Sequence, residues 1–260
     1  QETAREGQVS QELLNVWTQP VQKHKIWNTL RGGKESKDVT SEFGSVLAAL
    51  KRGDSLTGLK EYTKALKILA RRKLWKEAKD VLSAMWYNRF PPDAITYSVV
   101  MDACKRSRRA EVASELLEEM IENDIKRDVV TYNTLINAHA RSKTLLPALQ
   151  ALQDMQSDNV EPDRLSYAAA IKACESEGQW MKALQLFEEM LEKGLLPRVG
   201  VFNSLIIACA NDKKVGRAMQ IFSQMRTMGI EADGMTYAAI ISACAQGELW
   251  SEAEAMFEDM

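Results

Sequence analysis

The sequence is short of the residues and patterns on which most enzymes and metalloproteins depend. It holds only two histidines, His24 and His139, and it has no glycine-rich phosphate loop, H-E-x-x-H helix, C-x-x-C pair or serine-nucleophile motif. Two histidines therefore leave little basis for a catalytic mechanism that depends on histidine. We expect no enzymatic activity, and no cofactor, metal ion or small-molecule substrate.

Long apolar runs are also missing. No stretch approaches the roughly 18 to 20 apolar residues that a helix needs to cross a bilayer, so we expect no membrane partner. The 34 basic and 36 acidic residues give a net charge of -2, which excludes a polybasic tail or an acidic disordered domain. Any nucleic-acid surface has to arise from the distribution of charge.

What the sequence does contain is a 35-residue repeat that runs without an insertion from residue 59 onward. The fourth position is always aromatic: Tyr62, Tyr97, Tyr132, Tyr167, Phe202 and Tyr237. The twentieth is always alanine: Ala78, Ala113, Ala148, Ala183, Ala218 and Ala253. The twenty-seventh is always methionine: Met85, Met120, Met155, Met190, Met225 and Met260. A period of this length indicates a stack of supersecondary units instead of one central core.

The cysteines follow the same period. They all occupy position eleven of a repeat, a position that His139 takes in the third: Cys104, Cys174, Cys209 and Cys244. Their spacing matches no zinc motif, and equivalent positions of stacked repeats lie too far apart for a disulfide. We expect small buried thiols in a reducing compartment.

The period divides the chain into segments. Residues 1–23 are interpreted as an N-terminal extension or capping helix, and residues 24–58 as a degenerate terminal repeat. Glu2, Glu6 and Glu12 make the first segment unlike an acid-poor transit peptide. The remaining segments are five full repeats and one partial repeat: 59–93, 94–128, 129–163, 164–198, 199–233 and 234–260.

Each repeat is predicted to form two helices. In the third repeat, apolar spacing predicts helices over about 131–141 and 145–156. Asn159, Gly194 and Gly229 share one position and are predicted to end the second helices in the left-handed conformation. The constant alanine is predicted to lie where the two helices of a pair approach most closely.

The period, the two helices and phrases such as VVTYNTLI, LQLFEEMLEKGLLP and AMQIFSQMRTMGIEAD resemble the pentatricopeptide repeat family over residues 59–260. The resemblance implies an all-α fold, a right-handed superhelical α-solenoid of antiparallel helix pairs. It also implies that single-stranded RNA binds in the groove, at about one base per repeat. A mitochondrial or chloroplast location is implied by the resemblance alone.

The resemblance further implies that positions five and thirty-five read the base, while position two wedges between neighbouring bases. The readout pairs are Thr63 with Asp93, Ser98 with Asp128, Asn133 with Asp163 and Asn203 with Asp233. The first two resemble guanine readers and the last two uracil readers. The wedge residues are Ile95, Val130 and Leu165.

The fourth repeat departs from this pattern, because Ala168 cannot bond a base edge and Arg198 replaces the aspartate. The expected preference is therefore guanine, guanine, uracil, any base, uracil. The alternative interpretation is that these polar residues only cap helices and hydrogen-bond locally.

Basic residues recur near the same face of the first helices. They stand at positions nine and thirteen and are the predicted phosphate-binding residues: Lys67, Arg71, Arg106, Arg141 and Lys172. A solvated helix face is the alternative interpretation of the same residues.

Two functions from different classes fit this sequence. One is an RNA-binding adaptor that acts on organellar transcripts in splicing, processing, stability or translation. The other is a structural subunit of an organellar ribosome or another large assembly, in which the helices chiefly contact protein. Ala168 and Ala238 at position five, together with the near-neutral charge, keep the second interpretation open.

Overall fold

A computed structural model describes residues 59–260, and the interpretations of residues 1–23 and 24–58 lie outside the described residues. Within the described range every regular element is an α-helix, which confirms the all-α helical-repeat prediction. The helices are α1 (Leu59–Arg71), α2 (Trp75–Tyr87), α3 (Ala94–Arg106), α4 (Ala110–Glu122), α5 (Val129–Ser142), α6 (Leu145–Ser157), α7 (Arg164–Glu175), α8 (Trp180–Glu192), α9 (Val199–Asn211), α10 (Val215–Thr227), α11 (Gly234–Gln246) and α12 (Trp250–Asp259). Odd-numbered helices are the first helices of their repeats, and even-numbered helices are the second.

The helices belong to two compact units, which divide after Ser107. In the first unit, α1 packs against both α2 and α3. In the second unit, α5, α7, α9 and α11 contact one another in sequence and form the first-helix layer. Each of α6, α8 and α10 packs against the first helix before it and the one after it, so a second layer covers one side of the first-helix layer.

The constant positions of the repeat form the core. The alanines of the five full repeats have no exposed surface, and neither do their methionines. Edge-to-face rings connect successive repeats: the Phe187 and Phe202 centroids lie 5.4 Å apart, and those of Phe222 and Tyr237 lie 5.7 Å apart. Met260 of the last repeat is 63% exposed.

Position eleven is buried in every repeat from the second onward. All four cysteines are free thiols, and burial raises the pKa of Cys174 and Cys209 to about 11. His139 bonds Ser114 through Nε2 at 2.9 Å and Thr144 through Nδ1 at 2.8 Å. Burial lowers the pKa of His139, although Glu111 opposes the shift. These side chains fill the core, as the repeat pattern predicts.

The ends of the helices explain the sharp turns between them. Asn159, Gly194 and Gly229 adopt left-handed φ values of 57°, 70° and 70° directly after second helices, as expected. Left-handed residues also follow first helices, where most of them carry long side chains: Lys73, Arg108, Lys143, Gly178, Lys213 and Glu248. Sequence reasoning gave no signal for these, because lysine and arginine are not typical of that conformation.

Candidate nucleic-acid interface

The third and fifth repeats place an asparagine against an aspartate of the next helix start. Asn133 Nδ2 donates to Asp163 Oδ1 at 3.0 Å, and Asn203 Nδ2 donates to Asp233 Oδ1 at 3.1 Å. Both asparagines lie in the second turn of a first helix, so neither caps its own helix. Two predicted readout pairs are therefore brought together, each between position five and position thirty-five of one repeat.

The aspartates also cap the helices that they precede. Asp93, Asp128, Asp163 and Asp233 each accept a hydrogen bond from a backbone N–H of the following first turn. The capping interpretation is thus correct for the four aspartates. It does not account for the asparagine contacts.

Hydrogen bonding keeps two of these carboxylates ionised. Burial opposes the shift at Asp163, but donors from Ser166, Asn133 and Leu165 together lower its pKa. At Asp233 the backbone N–H of Thr236 is the largest cause of the lowered pKa. An ionised carboxylate only accepts hydrogen bonds, so each must face the Nδ2 group of its asparagine.

The other two predicted pairs differ. Thr63 donates to the Leu59 carbonyl of its own helix at 2.9 Å, and no hydrogen bond joins it to Asp93 among the described residues. Ser98 is half-buried on α3 of the first unit, whereas Asp128 is exposed at the start of α5 in the second. Their pairing stays a prediction.

Position two presents apolar side chains to solvent. Ile95, Val130 and Leu165 are 60%, 58% and 55% exposed, and Met235 is 63% exposed. Each lies in the first turn of a first helix, and Val130 lies three residues before Asn133 on the same helix face. The expected wedge positions are therefore accessible.

The basic residues divide into two groups. Lys67, Arg71, Arg141 and Lys172 are exposed. Arg106 is also exposed, but its Nε bonds Asp102 Oδ2 at 2.6 Å, and Lys105 pairs with the same carboxylate at 2.5 Å. Sequence reasoning overlooked Asp102, although its position four residues before Arg106 on one helix is a recognised pairing distance.

The described residues contain no group of three or more potential metal ligands. The helices of residues 59–260 are also all too short or too polar to span a bilayer.

The chain is similar to known helical-repeat proteins. A family model described as the pentacotripeptide-repeat region of PRORP matches residues 88–250, which is more than half of the chain. No curated protein sequence matches the chain. The pentatricopeptide repeat protein PPR10 from maize is 26% identical, with 83% of this chain and 31% of that chain covered and a TM-score of 0.65. This chain thus spans about a third of that protein.

Two further structures share the fold at lower identity. The PPR domain of Arabidopsis thaliana protein-only RNase P 1, solved in complex with tRNA, is 15% identical, with 69% of this chain and 95% of that chain covered and a TM-score of 0.59. PPR10 in complex with an 18-nt psaJ RNA element is 20% identical, with 92% of this chain and 38% of that chain covered and a TM-score of 0.58. With its 35-residue helix pairs and the match of the family model over most of the described residues, the chain belongs to the pentatricopeptide repeat family.

Proposed function

We propose that the chain binds single-stranded RNA along its first helices and reads selected bases with Asn133 and Asn203. One observation carries the proposal: each asparagine is held by the aspartate at position thirty-five of its own repeat, directly before the next first helix, and the two arrangements share the same repeat positions. A solenoid that reads one base per repeat requires polar groups displayed at such a fixed interval.

The hydrogen-bond inventory leaves each amide one donor and one acceptor for a base; Asn133 is half-buried, and Asn203 is 4% exposed. A primary amide has two N–H donors and two oxygen lone pairs. At Asn133, Asp163 uses one donor and Ser166 uses one lone pair, so one donor and one acceptor remain. Uracil offers an N3–H donor beside carbonyl acceptors, and these can pair with the remaining acceptor and donor of the amide.

Apolar side chains complete the proposed binding position. Val130 lies in the repeat that carries Asn133 and Leu165 in the next one; both occupy position two and are exposed. Apolar contact with the faces of an unstacked base is favourable and independent of its identity. In the fifth repeat Gly200 offers no such side chain, so Met235 alone serves the base at Asn203.

The exposed basic residues supply the electrostatic part of binding. Lys67, Arg71, Arg141 and Lys172 can each neutralise a phosphate, while Asp102 already neutralises part of the charge of Arg106. Because only these few residues would contact phosphates, the logarithm of the affinity should fall with a shallow slope against the logarithm of the salt concentration.

The relatives support a nucleic-acid partner, because PPR10 was solved with an RNA element and the RNase P domain with tRNA. We infer a non-catalytic adaptor that holds or exposes a segment of an organellar transcript, for splicing, processing, stability or translation. Subcellular fractionation of the tagged protein tests the location, and crosslinking with sequencing of the bound RNA identifies the transcript.

Fluorescence anisotropy with short labelled RNAs tests the readout. Asn133→Ala with Asn203→Ala should weaken binding to an oligonucleotide of the expected preference about tenfold or more, since several hydrogen bonds are lost. Asn123→Ala at the end of α4, where the amide bonds only the Glu119 carbonyl, is the matched control. A scrambled RNA that binds as tightly as the expected one would refute base reading.

A second candidate, a structural subunit, is favoured by one observation on the second helices. Leu146 and Met181 occupy the same position of adjacent repeats and are 78% and 66% exposed. Together they offer an apolar contact for a protein of a ribosome or another organellar assembly. Copurification that survives the two asparagine substitutions, but is lost on Leu146→Ser with Met181→Ser, would favour this function.

A further inference from the structure

We propose that the hydroxyl groups of Ser166 and Thr236 fix the direction of the Asn133 and Asn203 amides and thereby set the base preference of these repeats. The inference rests on the base reading proposed above. Both hydroxyls stand at position three of the repeat that follows the asparagine. Ser166 and Thr236 are fully buried, so their hydroxyls act through the asparagine instead of touching RNA.

Each asparagine belongs to a closed ring of three hydrogen bonds. In the first ring, Asn133 Nδ2 donates to Asp163 Oδ1 at 3.0 Å, the Asp163 backbone N–H donates to Ser166 Oγ at 3.0 Å, and Ser166 Oγ donates to Asn133 Oδ1 at 2.6 Å. Each residue therefore both donates and accepts, and the amide is held at its nitrogen and its oxygen.

The second ring repeats the first one in the fifth repeat. The corresponding distances among Asn203, Asp233 and Thr236 are 3.1, 3.1 and 2.7 Å. The two hydroxyls also lie 3.0 and 2.9 Å from a carboxylate oxygen. A hydroxyl has a single proton, and the shorter distances direct it to the amide oxygen.

The ring permits only one orientation of the amide. If the amide turned over, its oxygen would face an ionised carboxylate that cannot donate, and its nitrogen would lose that acceptor. The remaining donor and acceptor are therefore offered to a base in a fixed order. Uracil and cytosine differ by exchange of donor and acceptor at N3 and at the exocyclic group of C4, so a fixed amide distinguishes them. An amide that could turn over would match either base.

The junction between the fourth and fifth repeats carries none of the three groups. There the asparagine, the aspartate and the hydroxyl residue are all replaced, by Ala168, Arg198 and Val201. Val201 is buried like Ser166, so burial alone does not require a hydroxyl at this position. A hydroxyl also occurs at this position without a preceding asparagine, as Thr96 and Thr131, and there it donates to the capping aspartate.

The first unit supplies a matched control. Thr96 occupies the same position, and its hydroxyl donates to Asp93 Oδ1 at 2.5 Å. The preceding position five is Thr63, which bonds the Leu59 carbonyl instead. Thr96→Val thus removes a hydroxyl at a helix start without disturbing an asparagine.

The test compares RNAs that differ only by uracil or cytosine opposite the third or the fifth repeat. We expect Ser166→Ala and Thr236→Val to reduce the ratio of the two affinities about three- to tenfold at their own repeat, as loss of one hydrogen bond implies. Ser166→Thr and Thr236→Ser keep the hydroxyl and should keep the ratio, and so should Thr96→Val. An unchanged ratio in the first two variants, or an equal fall in Thr96→Val, overturns the inference.

NMR without RNA separates this inference from the proposed function. The side-chain amide protons of Asn133 should exchange faster with water in Ser166→Ala, while those of Asn203 keep their rate. No change in exchange overturns the ring as a positioning device. A native chain that binds uracil and cytosine RNAs equally refutes the proposed function, and the inference falls with it. If the native chain discriminates and the variants discriminate equally well, the inference alone is refuted.

Discussion

The hydroxyl of Tyr167 is buried without a hydrogen-bond partner among the described residues, so this position should limit stability. Burial is the main cause of its raised pKa, with a smaller contribution from Glu189. Replacing Lys193 by asparagine should supply the missing partner. Lys193 is exposed and directly follows α8, 26 residues after the tyrosine.

Two other repeats show that the replacement is geometrically feasible. Asn88 Nδ2 donates to the Tyr62 hydroxyl at 2.8 Å, and the Tyr132 hydroxyl donates to Asp158. Asn88 and Asp158 stand at the position of Lys193 and have closely similar backbone angles, with φ of -83° and -79° against -78°. An asparagine at 193 can therefore adopt the same pose without strain.

A newly satisfied buried hydroxyl should stabilise the protein by about 1 kcal/mol. For a chain of this size that corresponds to a rise in Tm of about 2 to 4 °C. Urea denaturation followed by circular dichroism measures the free energy change. The control is Lys193→Asn combined with Tyr167→Phe, which removes the hydroxyl as Phe202 does naturally in the next repeat. An equal gain in that background, or no gain in either, would refute the reasoning.

Three further changes test other parts of the structure. Ala183→Leu should cost roughly 1 to 3 kcal/mol in a urea melt, because this alanine has no exposed surface, whereas Glu188→Leu on the exposed face of α8 should change stability by less than about 0.5 kcal/mol. The pKa of His139 is lowered by burial, so its contribution to stability is present above pH ~6.5 and is lost as the pH falls towards the folded-state pKa. His139→Cys should remove this loss in melts between pH 7 and 5, and a variant with unchanged pH dependence would contradict the assignment. Arg141→Gln should weaken binding to all RNAs uniformly and reduce the slope of log affinity against log salt concentration by about 0.7. Arg226→Gln on α10 should leave this slope unchanged.

The repeat period was sufficient to predict the core. A side chain that is constant in every unit must meet the same neighbours in every unit, so its burial follows from the register. Ala148 and Met155 are accordingly fully buried, and the second-helix end at Asn159 adopts the left-handed conformation. Comparing the repeats within one chain thus identified the core positions, which are normally identified by aligning related proteins.

The partners of the position-five residues could not be predicted in the same way. Position three is serine or threonine in four repeats but Glu61 and Val201 in the other two, so it is less constant than the core positions of the repeat. The bond from Ser166 to Asn133 also spans 33 residues, whereas sequence spacing on one helix reveals only neighbours three or four residues apart. Such a contact becomes visible only when successive helices are packed together.

The capping and readout interpretations of the aspartates are not alternatives, and the fourth repeat shows why. Asp163 caps α7 and holds Asn133 with the same carboxylate oxygen, so the start of one helix positions the side chain of the previous repeat. Where Arg198 replaces that aspartate, α9 begins without a side-chain cap and position five is Ala168. Loss of the side-chain cap and loss of the position-five asparagine therefore coincide at the same junction between repeats. In the proposed function one carboxylate would serve both purposes, so a substitution of Asp163 should weaken both the start of α7 and base reading at Asn133.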